Sequence, residues 1–146
     1  MRILGIDHGD ARIGLALSDE TGTIATPLQI VRHTARAADA RTVARLAAEH
    51  GAERIVVGLP TDSEGQIGPQ ARKVQRWAEA LAEATGIAIE FWDESFTSEE
   101  VAALRRARHA RAKRRGEPLD AEAAALILQN YLDAHRTPQP PEETAE

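Results

Sequence analysis

The sequence predicts a single α/β domain built on a mixed sheet, and three observations carry that prediction. Three short strand-like segments open the chain, the first two marked by alternation and the third by β-branched residues, each separated from the next by turn residues. Helix-period stretches then alternate with short apolar runs, the pattern of strands added in parallel through helical crossovers. The length, 146 residues, suits one core that buries on the order of 70% of the surface an unfolded chain exposes. The predicted order is β-β-β-α-β-α-β-α-α: three antiparallel strands followed by parallel ones, with helices on both faces. We expect one domain over residues 1–136 and a disordered tail over 137–146, which holds prolines and Glu142, Glu143 and Glu146.

From Arg2 to Ser18 the chain reads as two strands around Gly9 and Asp10: Ile3, Leu4 and Ile6 before the turn, then Ile13, Leu15 and Leu17 alternating with Gly14 and Ala16. A second turn at Glu20 to Gly22 leads into Thr23 to Val31, where Pro27 predicts an edge position or a bulge. Ala35 to His50 has helical spacing, with Ala38, Val43, Leu46, Ala47 and His50 inward and Gly51 as the stop. Arg54 to Leu59 is a continuous apolar run that fits a strand covered on both faces. A loop from Pro60 to Pro69 precedes a helix from Gln70 to Thr85 that turns Val74, Trp77, Ala78, Leu81 and Ala82 inward. Ile87 to Trp92 is the last strand. Thr97 and Glu100 have the spacing of a capping box at a helix start. Leu119 to Ala134 closes the chain as a helix packing Ala123, Ala124, Ile127, Leu128, Tyr131 and Leu132.

Composition removes several classes of function. Hydrophobic residues make up 42% and charged residues 28%, which excludes collagen, coiled coil and wholesale disorder. Aromatics are 3%, so the core is aliphatic. With no cysteine, a disulfide scaffold, a thiolate zinc site and cysteine nucleophile chemistry fall away together. Arg2, Asp7 and Asp10 interrupt any signal-peptide core, and no stretch approaches the roughly 20 apolar residues of a membrane span. The expectation is a soluble cytoplasmic protein with no membrane partner.

Chemistry concentrates in four places. Asp7 sits in Gly5-Ile6-Asp7-His8-Gly9, an acid at the end of an apolar strand, where desolvation is costly unless the carboxylate is paired or binds a cation. A turn aspartate capping its own backbone would also fit. His8 beside it faces the other way on a strand and is not expected as a ligand. The glycines and proline of Val57-Gly58-Leu59-Pro60, with Asp62, Ser63, Glu64, Gly65 and Gly68 after them, put a loop at the carboxyl end of the sheet, where α/β proteins bind ligands. This loop lacks the Gly-Lys-Ser/Thr of a Walker motif. Asp93 and Glu94 follow a strand and precede the helix cap, so the helix dipole accounts for them less well than for Glu99 and Glu100. Asp120 opens the last helix, where an acid also favours the dipole. Together Asp7, Glu94 and Asp120 form an all-oxygen set suited to Mg²⁺ or Mn²⁺ rather than zinc. Three such carboxylates repel one another unless metal is bound.

Gly5 to Asp19 (GIDHGDARIGLALSD), Val56 to Gly65 (VVGLPTDSEG), Asp93 to Val101 (DESFTSEEV) and Leu119 to Leu132 (LDAEAAALILQNYL) together resemble the YqgF/RuvX family. That family comprises pre-16S rRNA nucleases and Holliday-junction-resolvase-like proteins. The four motifs stand in the family's order over about residues 1 to 135. The resemblance implies an RNase H-like fold and a carboxylate–metal active site with Asp7, Glu94 and Asp120 as catalytic and metal-binding residues. It also implies two-metal phosphodiester hydrolysis, in which ions about 4 Å apart activate a water and stabilise the departing oxygen. Asp7 is expected to bridge the ions, with Glu94 and Asp120 completing one side each. Two departures stand out: Ser95 replaces the family's Arg after Asp-Glu, and Thr61 to Gly65 replaces its Asn-Met-Asp-Gly.

The formal charge of −5 argues on its face against a nucleic acid, but its distribution reverses that inference. Arg105, Arg106, Arg108, Arg111, Lys113, Arg114 and Arg115 form a run of seven cations without an acid, leaving eleven Lys and Arg against 23 acids elsewhere, a net −12. A run this unbalanced between two active-site segments favours phosphate contacts over a merely solvated helix face. It holds no aromatic residue, so base stacking is not expected there. The implied partners are structured RNA (pre-rRNA) or branched DNA, with ribosomal or transcription machinery as further candidates. The alternatives are a resolvase-like DNA nuclease and a catalytically weak nucleic-acid-binding adaptor. A phosphotransferase of the actin and sugar-kinase type also begins with an Asp-Gly strand-turn, but it needs far more chain.

Overall fold

The computed structural model describes residues 1–61, 64–93, 103 and 119–136. Five strands and three helices occur among them: β1 (Ile3–His8), β2 (Arg12–Ser18), β3 (Ala25–Arg32), α1 (Arg36–Glu49), β4 (Arg54–Leu59), α2 (Pro69–Ala84), β5 (Ala88–Asp93) and α3 (Asp120–Ala134). The strands form one sheet in the order β3-β2-β1-β4-β5. β1, β2 and β3 are antiparallel neighbours, while β4 and β5 join β1 in parallel. The mixed sheet expected from the alternating segments is therefore present.

Two separate cores follow from strand alternation. Leu4, Ile6, Ile13, Leu15, Ile55 and Val57 face α1 and α2, where they meet Val43, Leu46, Val74, Trp77 and Leu81. Ile3, Ala16 and Val56 face α3, against Ala124, Leu128, Tyr131 and Leu132. β4 has a helix-covered face on either side, which is why its sequence is apolar without alternation. All six residues expected on the inner face of α3 are buried.

β3 lies at the sheet edge and carries a bulge: Leu15 pairs with Gln29 and Ala16 with Pro27, so Leu28 is the extra residue. The proline forces both features, since it has no N–H for the ladder. The strand begins two residues later than the sequence predicts because Thr23 and Ile24 donate their amides to Asp19 Oδ1 at 2.8 and 3.1 Å. Thr21 Oγ1 donates to the other oxygen at 2.5 Å, and these three donors pull the Asp19 carboxyl down to about 2. Gly22, at φ 69°, makes the left-handed turn.

The helices depart from expectation in three details. α2 starts at Pro69, which the sequence places in the loop; proline suits the first helical position because its missing N–H has no partner there. Ala82 is exposed and Ala71 is buried in its place. In α1, Ala38 and His50 are only half-buried, while Asp39 is 2% exposed. Asp39 earns that position through its partners: it accepts from Thr34 N and Oγ1 at 3.1 and 2.9 Å and meets His33 Nδ1. The capping box at Thr97 and Glu100 and the tail over 137–146 lie outside the described residues.

Candidate active site

β1, β4 and β5 run parallel, so their carboxyl ends meet at one edge: Ile6 lies beside Val57, Gly58 beside Trp92, and Leu59 beside Asp93. Ligands of open α/β sheets bind at this edge. Asp7 is the penultimate residue of β1 there. Gly5, two residues earlier, directs its absent Cβ at Leu128 and Ala124 of α3. By alternation Asp7 faces the same side.

The start of α3 reaches that place through a glycine. Asp7 pairs with Gly14 across the antiparallel ladder, and paired residues point to one face. A Cβ on Gly14 would stand 1.8 Å from the Asp120 carbonyl oxygen and 2.2 Å from its carbon. The first turn of α3 is thus seated on Gly14, next to Asp7, because that residue has no side chain. The arrangement repeats along the helix, where a Cβ would meet Leu128 Cβ at 2.7 Å from Gly5 and Ile127 Cδ1 at 2.7 Å from Gly58. Glycines on three strands therefore set the height of α3, and with it the position of Asp120.

Arg12, at the start of β2, donates from Nε to Asp120 Oδ2 at 2.8 Å. An exposed ion pair of this kind contributes about 0.2–1 kcal/mol. Its local effect is to orient the carboxylate and offset its charge. Nearby, Thr61 Oγ1 donates to Asp93 Oδ1 at 2.8 Å, tying the segment after β4 to the end of β5.

Of the expected site residues, Asp7 and Asp120 are brought to one face and one edge. Glu94 lies outside the described residues, as do Asp62, Ser63, Ser95 and the basic run Arg105, Arg106, Arg108, Arg111, Lys113, Arg114 and Arg115. Among the described residues no group of three His, Asp or Glu could hold a metal ion. His8 points to the opposite face, its ring 4.9 Å from that of Trp77, and burial pushes its pKa below the ordinary imidazole value, helped by His33. That leaves Asp7 and Asp120 as carboxylate oxygen donors, a set that fits a hard divalent cation. Sequence reasoning missed Arg12 as the partner of Asp120 and the three glycines as its seat. The signal was present, since Gly14 and Ala16 alternate with large residues on β2 and mark a face that another backbone approaches closely.

A family model described as RuvX, Holliday junction resolvase, matches residues 1–134. A curated relative from Thermoanaerobacter pseudethanolicus is 43% identical, over 93% of this chain and 99% of its own. One from Myxococcus xanthus is 42% identical, over 94% and 91%. Both carry the name "Putative pre-16S rRNA nuclease". Among solved structures, Thermus thermophilus RuvC in complex with a Holliday junction substrate superposes with a TM-score of 0.61 at 18% identity, covering 92% of this chain and 94% of that one. The fowlpox virus Holliday junction resolvase gives 0.53 at 15% identity, covering 92% and 99%. At such identities the likeness establishes the fold, which is RNase H-like.

Proposed function

The chain belongs to the RuvX family, and from that premise we propose that it is a divalent-metal-dependent endonuclease hydrolysing phosphodiester bonds in structured RNA, in maturation of the 5′ end of pre-16S rRNA. The observation that carries this reading is the seating of Asp120 on Gly14 beside Asp7, which puts two carboxylates at the carboxyl edge of the sheet. Glu94 is the third acid of the set, and the domain performing the reaction spans residues 1–136.

Bound there, Mg²⁺ or Mn²⁺ would supply a water of lowered pKa and stabilise the charge that develops on the departing oxygen. The chain's own residues do the rest. Asp7, Glu94 and Asp120 present anionic oxygens, and Arg12 holds Asp120 in one orientation. The run Arg105, Arg106, Arg108, Arg111, Lys113, Arg114 and Arg115 supplies the positive field that holds the phosphate backbone. Action on ribosomal RNA places the protein in the cytoplasm, in reach of ribosomal or transcription machinery. No helix among the described residues is long and apolar enough to cross a membrane.

The test is cleavage of a pre-16S rRNA fragment with and without Mg²⁺ or Mn²⁺ by the parent chain and by Asp7→Asn, Glu94→Gln and Asp120→Asn. Loss of metal-dependent cleavage in each variant supports the assignment, and undiminished cleavage by any one removes that residue from the site. The description of the matching family as Holliday junction resolvase favours a second reading, branched DNA cut by the same carboxylates. Matched RNA and DNA substrates with and without a junction separate the two. Binding without cleavage on all of them identifies an adaptor.

A further inference from the structure

On the α1–α2 side of the sheet, at the same end of β1 as Asp7 but on the opposite face, a cavity of about 600 Å³ is lined by His8, Asp10, Arg36, Lys73, Arg76 and Trp77, with His33 at its side. Its inner wall is made of the rings of His8 and Trp77, 4.9 Å apart. Both ring nitrogens of His8 and the indole N–H of Trp77 are shielded from solvent and lack a hydrogen-bond partner among the described residues. Polar groups left in that condition are costly, and native structures contain few of them.

The remaining lining is cationic. Lys73 and Arg76 sit three residues apart on α2, on the face that also carries Trp77. Arg36 is the first residue of α1, where Ala35 provides no side-chain cap, so the unpaired amides and the dipole of that helix end add to the positive field. His33 is tied to Asp39 behind the cavity. Asp10 is the one carboxylate among the described lining residues, with Oδ1 3.8 Å from Lys73 Nζ. Three permanent cations against one carboxylate leave two positive charges facing an opening at neutral pH.

We propose that this cavity binds a terminal phosphate, a phosphomonoester carried by a nucleotide or by the end of a nucleic-acid strand. A monoester carries about −1.5 to −2 charge at neutral pH and so balances those two charges, whereas an internal diester brings only one. The arginine forks match its oxygens. The volume lies within the roughly 300–1,000 Å³ range of small-ligand sites and exceeds what a phosphate alone fills, so an attached nucleoside has room against the ring wall. The choice of nucleotide chemistry rests on the nuclease reading above, but binding in this cavity needs neither Asp7 nor a metal.

The chain's two tryptophans make the test self-referenced. Trp77 lines the cavity, while Trp92 lies on the α3 face against Tyr131 and His135, 5.7 Å from each ring. The full chain, ¹⁵N-labelled and metal-free, is titrated with a nucleoside 5′-monophosphate, with the nucleoside, and with a short oligoribonucleotide bearing either a 5′-phosphate or a 5′-hydroxyl. Saturable shifts of the Trp77 indole resonance with the phosphorylated ligands alone, with Trp92 unmoved, are expected. Tighter binding of the phosphorylated strand assigns the cavity to a strand end, and equal binding assigns it to a free nucleotide; both support a phosphomonoester site. Arg36→Ala combined with Arg76→Ala changes two exposed side chains and is expected to weaken the response about tenfold or more. An unmoved Trp77, or equal shifts with the unphosphorylated ligands, overturns the proposal. Asp7→Asn is expected to keep the Trp77 response, so loss of the nuclease reading and loss of this one register separately.

Discussion

Replacing Gly14 with Ala tests the seating of α3 directly. The added Cβ would stand 1.8 Å from the Asp120 carbonyl oxygen, whereas real Cβ atoms essentially never approach closer than 3.0 Å. The obstacle is backbone on both sides, so no rotamer change relieves it. The first turn of α3 must retreat by about 1.2 Å, or β2 must bend by as much. Overpacking of this kind costs about 1–3 kcal/mol, which for a domain of this size lowers the thermal midpoint by about 3–10 °C. The same retreat carries Asp120 away from Asp7, and misplacement by about 1 Å costs a catalytic constellation roughly a hundredfold in rate. Gly58→Ala is the matched control: its Cβ meets Ile127 Cδ1 at 2.7 Å, the far end of a flexible side chain that can swing aside. Differential scanning calorimetry and metal-dependent cleavage of the same substrate, measured on both variants, read the two effects. If Gly14→Ala melts and cleaves like the parent chain, or if Gly58→Ala is the more damaging, glycine-set helix height does not position Asp120.

Three further outcomes follow from the contacts. Arg12→Ala frees Asp120 Oδ2 and adds net negative charge at the site, so the Mg²⁺ concentration for half-maximal cleavage is expected to fall by about 1.4- to 5-fold, matching the ~0.2–1 kcal/mol of an exposed pair; an unchanged or raised requirement counts against competition between Arg12 and the cation. Tyr131, buried under β4, donates to Glu90 Oε1 at 2.9 Å and accepts from Arg54 Nη1 at 3.2 Å; Tyr131→Phe leaves both partners short and is expected to cost about 1–2 kcal/mol in urea denaturation, with no loss meaning that water replaces the hydroxyl. Asp19, held near 2 by Thr21, Ile24 and Thr23, has a folded pKa below its unfolded value of 3.8. Its stabilisation is therefore full above that unfolded value and lost as pH falls through about 2. Asp19→Asn is expected to be less stable than the parent near neutrality and to draw level with it at about pH 2. Parallel urea curves whose separation does not narrow on acidification would falsify the loop's dependence on that carboxylate.

What could be read from the sequence and what could not divide along a physical line. Alternation in β1 and β2, the unbroken apolar run of β4 and the helical spacing in α2 and α3 were legible because each depends on neighbours a few residues apart. Pro27 announced an edge position or a bulge, and β3 has both, because a missing N–H has the same consequence in any context. Asp7 stood out locally because an acid at the end of an apolar strand carries a desolvation cost, whereas Asp120, an acid the helix dipole already favours, stood out only in combination with Asp7 and Glu94. Asp39 was not recognised as buried, since its justification is the pair Thr34 and His33, which only the turn into α1 brings to it.

The sequence by itself determined the strands and helices found among the described residues and most of their inward faces. Tertiary structure alone decided that Gly14 and Arg12 meet Asp120, more than a hundred residues later in the chain, with |i−j| = 108 for the ion pair. It also decided that Arg36 from α1 joins Lys73 and Arg76 from α2 around His8. The reason is that periodicity reports which way a side chain points, whereas contact between distant segments depends on how closely two elements approach. For α3 that approach is governed by the absence of a Cβ on three sheet residues.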